Sequence, residues 1–299
     1  MGRAVGAGPW PERPRFRAEL PSGRVLDTGA RPLVVGVLNV TPDSFSDGDQ
    51  FFRLTNAVEH ARRMCAEGAD VIDVGGESTR PGSEGVPAAE ELARVIPVIE
   101  ELTAEINVAI SIDTQKAAVA AAALDKGAEI INDVSALRTD PQMAPLAAER
   151  GVPLVLMHMQ GTPRTMQKKP AYREVVGDVI AWLEERIAFA VEAGIGRDRL
   201  IVDPGFGFGK TVQHNLELLR RLHELHRLGR PVLVGTSRKA MLGKVLGLPE
   251  GERLYGTLAT VAAAALSGCH MVRVHDVRPA LEVVKVCEAV RQGMGYRDA

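Results

Sequence analysis

Three residues able to grip one edge of a ligand stand at the ends of short apolar runs. Asp113 closes AISID, Asn132 lies in EIIND, and Asp203 closes LIVD. A carboxylate at a buried strand end is costly unless something pairs with it. A ligand with adjacent N–H donors is such a partner. The amino-pyrimidinone edge of a pterin or a guanine offers two donors to one carboxylate, and an Asn amide can meet the mixed edge beside it. The plain alternative for Asp113 is to cap a helix starting near Gln115. For all three residues together, ligand recognition is the better reading.

A second group is basic. TSRK brings Ser237, Arg238 and Lys239, and MVRVHD brings Arg273 and His275. Residues i and i+2 of a strand share a face, so Arg273 and His275 point together. The pair suits a diphosphate; its plain alternative is an ion pair of either residue with Asp276. DPGFGFGKT looks like a phosphate loop but fails the pattern, because Pro204 stands where G-x-x-x-x-G-K-T needs glycine. Its glycines are then expected to let backbone pass close to a flat ligand, with Phe206 or Phe208 as a wall. His214, His223 and His226 ride a segment whose other face is leucine, which marks them as solvent-facing. His158 ends a strand and has no assigned task.

The elements that must position these groups repeat. Eight apolar runs, starting near residues 34, 70, 108, 129, 153, 199, 231 and 270, each end on polar residues and alternate with helix-period segments. Val176, Val179, Ile180, Leu183, Ile187 and Ala190 share one helical face; Leu216, Leu219, Leu222, Leu225 and Leu228 are read as another; Ala280, Val283, Val284, Cys287 and Val290 as a third. The runs are β-branched and apolar on both faces, as buried parallel strands must be. The expected fold is therefore α/β, a single (β/α)8 TIM barrel with a short N-terminal arm and hairpin. Polar strand ends build its site, and the ends of the last two strands offer the usual phosphate position. A doubly wound open sheet is the runner-up, but the first strand ends in NVTPDSFSDG, which is no nucleotide turn. Residues 1–17, rich in Pro, Gly and Arg, read as a mobile arm, and 18–299 as the barrel domain. Turn signals at Pro21-Ser22-Gly23 and Thr28-Gly29 suggest a hairpin across the barrel floor. Three βα connections read as long: Thr41 to about Thr55, Glu77 to about Pro87, and Gln160 to Pro170. Long loops on this face are candidate lids.

Composition sets outer bounds. The chain has 299 residues, 45% of them apolar, and a net charge of −2, so no basic field points to nucleic acid. No apolar stretch is long enough to span a membrane. Cys65, Cys269 and Cys287 lack metal-type spacing, and free thiols in a cytoplasmic protein are expected.

Taken in order, LNVTPDSFSDG, DVIDVGGESTRPG, SIDT, INDVSAL, DPGFGFGKT, TSRK and RVHDV resemble the dihydropteroate synthase family from about residue 33 to 292. The resemblance implies condensation of 6-hydroxymethyl-7,8-dihydropterin diphosphate with 4-aminobenzoate in folate biosynthesis, with Mg2+ as cofactor and a homodimeric assembly. It implies Asn39 as a Mg2+ ligand beside the diphosphate, where Thr79, Arg80, Arg273 and His275 also bind. Asp113, Asn132, Asp203 and Lys239 would hold the pterin, with Met157 and Phe208 packed near it. Phe45, Thr79, Pro81, Arg238 and the segment with Ala240 would form the aminobenzoate pocket, which sulfonamides also occupy. Asp47 would sit near the reacting carbon, and Asp47, Arg80, Lys239, Arg273 and His275 would carry catalysis. Many relatives have Ser where this chain has Ala240, so backbone N–H would replace a hydroxyl there. An arylamine is a poor nucleophile, so departure of diphosphate is expected to lead, in an SN1-like order within closed loops. A methyltransferase-type pterin enzyme would have no use for both NVTPDSFSDG and ESTRPG. A non-enzymatic paralogue should have lost Asn39, Arg80, Lys239, Arg273 or His275, and all are present.

Overall fold

Successive side chains of a strand point to opposite faces, and here the two faces have different tasks. In LVVGVLN, Val34 and Leu38 join the core shared with the helices, while Leu33 and Val35 join a separate inner cluster. The computed structural model describes residues 10–41, 50–78, 82–83 and 85–295.

Two short strands come first, β1 (Arg17–Glu19) and β2 (Val25–Asp27). Eight parallel strands follow: β3 (Leu33–Asn39), β4 (Val71–Gly75), β5 (Ala109–Asp113), β6 (Ile130–Asp133), β7 (Leu154–Met157), β8 (Leu200–Asp203), β9 (Leu233–Val234) and β10 (Met271–Val274). They begin within two residues of the positions expected from sequence. Between and after them run α1 (Gln50–Ala66), α2 (Ala88–Glu105), α3 (Ala117–Asp125), α4 (Met143–Arg150), α5 (Val175–Glu192), α6 (Val212–Arg220), α7 (Ala240–Leu246), α8 (Leu254–Leu266) and α9 (Val277–Gln292). Hydrogen bonding runs in the order β8-β7-β6-β5-β4-β3-β10-β9, and a parallel bridge from Val202 to Val232 closes the ring. The fold is a (β/α)8 barrel.

The inner cluster fills the lower barrel. Leu33, Val35, Val71, Ala109, Ile130, Val155, Ile201, Leu233 and Met271 pack with Leu20 and Leu26 from the β1–β2 hairpin. The hairpin thus plugs the floor, as its turn signals suggest. The segment read as a mobile arm requires correction over residues 10–17, which are docked. The buried Arg13 guanidinium meets Glu288 at 2.9 Å, and Arg291 donates to Pro11 O at 2.7 Å. His270 accepts from Val232 N through Nδ1 and so donates from Nε2 to Pro14 O. A paired arginine and a two-sided histidine hold a segment whose composition alone reads as disordered.

The leucine-rich stretch also differs from expectation. Helix α6 stops at Arg220, and Leu222–Leu228 forms a 3-10 helix. Leu219, Leu222, Leu225 and Leu228 recur every three residues, the repeat of a 3-10 helix in which i and i+3 stack. All four are buried, whereas Leu216, still in α6, is 45% exposed. His223 alone of the three nearby histidines is exposed; His214 closes a capping box with Thr211, and His226 bonds Gly268 O at 2.9 Å.

Candidate active site at the barrel mouth

One step up each strand from the apolar floor, the inward positions turn polar. Val71 is followed on that face by Asp73 and Gly75, Ala109 by Ser111 and Asp113, Ile130 by Asn132, Ile201 by Asp203, and Met271 by Arg273 and His275. Register sets Asn39, Gly75, Asp113 and Asn132 side by side across β3 to β6, and Met157 opposite Asp203. The barrel therefore gathers the three recognition residues at one mouth.

Arg273 reaches across that mouth. Its Nε donates to Asp73 Oδ2 at 2.6 Å and its Nη2 to Asp113 Oδ2 at 2.7 Å. Asn132 Nδ2 donates to the same Asp73 oxygen at 3.0 Å. Burial works against the Arg273 charge, but Asp73 and Asp113 hold its pKa above the ordinary arginine value. Burial pushes the Asp113 carboxyl up to about 7, with Arg273 pulling it down and Asp73 adding to the rise. Burial also raises Asp203, whose Oδ1 accepts from Gly205 N at 2.7 Å. Asp73 Oδ1 is buried and has no hydrogen-bond partner among the described residues. Asp113 makes no helix cap: α3 starts at Ala117, whose N–H goes to Asp140.

An apolar wall stands beside the carboxylates. Val134, Met157, Met159, Met166 and Phe208 form a cluster of their own. The Lys239 ammonium lies 4.3 Å from the centre of the Phe208 ring, a cation–π contact that places it between wall and carboxylates. Of the two phenylalanines expected as a wall, Phe206 is excluded: it is buried in the outer core. The glycines serve a different contact from the one expected. A Cβ on Gly205, at φ +68°, would lie 1.9 Å from His158 O, and one on Gly209, at φ +63°, 2.6 Å from Gln160 O. They let the loop lie flat on the end of β7.

The basic group is less unified than its spacing suggests. His275 bonds Ser237 Oγ through Nδ1 at 2.9 Å, while Arg273 is committed to two carboxylates. Burial and the cations Arg238 and Arg273 depress His275 to about 3, so it is a neutral imidazole near pH 7. Asp276 pairs with neither residue; it takes a two-pronged contact from Arg238, at 2.8 and 3.2 Å. Arg238 sits at φ +57°, and that pairing turns its guanidinium toward α9. Ala240 is exposed and opens α7. Asn39 is half-buried at the end of β3. Phe45, Asp47, Thr79, Arg80 and Pro81 lie outside the described residues.

Two residues escaped the sequence reading. Asp73 sits mid-strand in VIDVG, where an acid between β-branched neighbours is the only signal. Lys210, 3% exposed, ends the glycine loop and reaches His158 Nδ1 at 2.9 Å. Its signal was the lysine of DPGFGFGK, set aside with the failed phosphate pattern.

Comparison with known proteins agrees with this geometry. Residues 35–275 match the pterin binding enzyme family. The dihydropteroate synthase of Escherichia coli K12 is 50% identical over 267 residues, 89% of this chain and 94% of that protein. The Yersinia pestis dihydropteroate synthase, solved with a sulfonamide drug, superposes with a TM-score of 0.88 at 45% identity, covering 93% of this chain and all (100%) of the other. The Xanthomonas albilineans enzyme in complex with 7,8-dihydropteroate gives a TM-score of 0.82 at 44% identity, covering 93% of this chain and 99% of the other.

Proposed function

The chain belongs to the dihydropteroate synthase family of pterin-binding enzymes, and from that premise we propose how the barrel mouth performs the family's reaction. The enzyme is a transferase of folate biosynthesis that joins 6-hydroxymethyl-7,8-dihydropterin diphosphate to 4-aminobenzoate, giving 7,8-dihydropteroate and diphosphate. The observation that carries the site assignment is the set of buried acceptors. Asp203, Asp113 and Asp73, whose buried Oδ1 has no partner among the described residues, stand at the mouth beside Met157 and the Phe208 wall. A flat heterocycle with several N–H donors satisfies those acceptors and covers the wall at once.

Asp203 and Asn132 read the pterin edge, Asp113 takes a further donor, and Lys239 lies against the ring beside Phe208. Arg273, anchored at the pterin carboxylates, meets the departing diphosphate with its remaining N–H donors. His275 contributes a neutral hydrogen bond, and its own protonation follows only if the diphosphate anion raises it from about 3. The C–O bond to the pterin methylene breaks with its electron pair leaving on diphosphate. The resulting cation is delocalised over the dihydropterin, and the arylamine adds to it and loses a proton. Phe45, Thr79, Arg80, Pro81, Arg238 and Ala240 complete the aminobenzoate side, and Asp47 the cation side, by resemblance.

A Mg2+ ion fits as a companion of the substrate. Among the described residues no cluster of three or more His, Cys, Asp or Glu could hold a metal. Mg2+ keeps several waters and takes substrate phosphates with few protein ligands, and the Asn39 side-chain oxygen at the end of β3 would be the one this chain supplies. When bound, the ion neutralises charge developing on the diphosphate. Among the described residues no helix is long and apolar enough to cross a membrane. A cytoplasmic homodimer is part of the proposal, supported by free cysteines and by Tyr255, Val286 and Val290 exposed on α8 and α9. The test of the activity is diphosphate release by the purified protein. It is expected only when both substrates are present, in one-to-one yield with dihydropteroate; release that ignores aminobenzoate would sink the reading.

A further inference from the structure

The loop 204–209 lies between β8 and α6 and carries Phe208, the aromatic part of the wall, and Gly205, whose N–H orients Asp203. Three of its glycines take positive φ, so its own chain supplies little stiffness. What fixes it comes from side chains. Asn215 accepts from Gly207 N at 2.8 Å, and Tyr172 donates to Gly209 O at 2.7 Å. Lys210 does the most. Its buried amine meets three acceptors, matching its three donors: Gly205 O at 2.9 Å, Phe208 O at 3.1 Å and His158 Nδ1 at 2.9 Å. That assigns the His158 proton to Nε2. His158 is itself buried, with its ring edge-on to Trp182 at 4.9 Å, so Lys210 ties the loop to a fixed point at the end of β7.

We propose that Lys210, held by His158, is a positioning residue for the pterin half of the reaction: it fixes the loop that presents Phe208 and aims Asp203. The proposal rests on the pterin assignment above. The Lys210 hydrogen bonds go to the loop and to His158, and its charge also favours the ionised Asp203. Without the amine, Phe208 O loses its donor and Gly205 O keeps only the Phe208 N–H at 3.1 Å, so the wall shifts to find new donors. The aminobenzoate and diphosphate groups assigned above come from other stretches of the sequence, those at or after β3, β4, β9 and β10, and should feel little of this. Burial pushes the Lys210 amine down to about 7 against the pull of Asp203, while the three acceptors around it match the ammonium form, the one with three donors.

The experiment compares the parent enzyme with Lys210→Met, His158→Leu and His158→Gln. It measures calorimetric affinity for free 6-hydroxymethyl-7,8-dihydropterin, KM for each substrate, and the melting curve. Lys210→Met is expected to weaken pterin binding about tenfold or more, the scale of one lost buried hydrogen-bond set, with KM for 4-aminobenzoate unchanged within about twofold. His158→Leu leaves Lys210 its two carbonyls and should give the same split at roughly threefold, and His158→Gln, which restores an acceptor, should recover most of it. Equal losses for both substrates, or parent-like pterin affinity in a folded Lys210→Met, overturns the proposal. Should Lys210→Met fail to fold, the His158 pair decides by the same criterion. Parent turnover with both substrates separates this outcome from failure of the pterin assignment itself.

Discussion

The floor and the mouth of the barrel are built on the same inward-facing positions of the same strands, yet they treat polarity in opposite ways. At the floor, Val71, Ala109, Ile130, Ile201 and Met271 meet the hairpin leucines, and the buried charges of Arg13 and Glu129 are matched, although Arg230 Nε has no hydrogen-bond partner among the described residues. Arg13 has Glu288, and Glu129 takes Arg24 and the N–H of Ser22. One step higher, two carboxylates share one arginine, a third is held by a single backbone N–H, and Asp73 Oδ1 has no partner among the described residues. Each unpaired buried acceptor is worth about 1–3 kcal/mol of lost stability. The difference shows where the molecule is finished by its own chain and where a ligand completes it.

The strongest way to break this contrast is Arg273→Ala. It leaves Asp73 and Asp113 buried without their cation, a loss of about 3–5 kcal/mol in stability. Affinity for the pterin and for its diphosphate ester should both fall, because the same guanidinium serves both ends. The spacing of Arg273 and His275 alone suggests loss at the diphosphate end only. The variant's melting temperature should recover as pH falls. Asp113 lies near 7 in the parent even with Arg273 pulling it down, against 3.8 unfolded; without that cation it lies higher, so its contribution in the variant is fullest below 3.8 and is lost as pH rises to 7 and beyond. A melting temperature independent of pH in this variant would count against the shared-arginine account.

Leu26→Ala at the floor is the converse test. The cavity should cost about 2–5 kcal/mol, read by chemical denaturation, while pterin affinity stays within about twofold of the parent. A large loss of pterin affinity would erase the distinction between the two ends. The smallest effect is expected at His270, which burial holds near 3. The unfolded chain binds a proton below 6.5 that the native floor refuses, so stability falls as pH falls from 6.5 toward 3. His270→Gln should flatten that slope by up to about 1.4 kcal/mol per pH unit; an unchanged slope from melts at several pH values would contradict it. His275 at the mouth acts in the same direction and remains in the variant.

The residues legible in the sequence are those that end strands. Asp113 and Asp203 close their strands, Asn132 and Arg273 stand next to last in theirs, and Lys239 follows β9 in TSRK; the barrel brings all five to one mouth. Asp73 was hidden because it lies inside a run and is polar on the face that a buried strand is assumed to keep apolar. Lys210 was hidden because its partners, His158 and two carbonyls, are set by tertiary contact. Arg238 is placed at the aminobenzoate side by resemblance, and its pairing with Asp276 depends on β9 and β10 lying adjacent. The leucine repeat carried its answer in plain sight: a strict period of three belongs to a 3-10 helix, and a helical face of period 3.6 would have drifted. The docked segment 10–17 is held by Arg13 and His270, partners more than 250 positions away in the chain for Arg13–Glu288 and His270–Pro14.

The most direct test of the claim that a pterin supplies the missing donors is the binding of 6-hydroxymethyl-7,8-dihydropterin to the parent and to Asp203→Asn, measured by calorimetry. The amide keeps the shape but offers one acceptor where the ligand edge needs two. Asp203→Asn should lose about 10- to 100-fold in affinity, the value of a charge-assisted hydrogen bond, while still melting near the parent temperature. Equal affinity in the two proteins would contradict it.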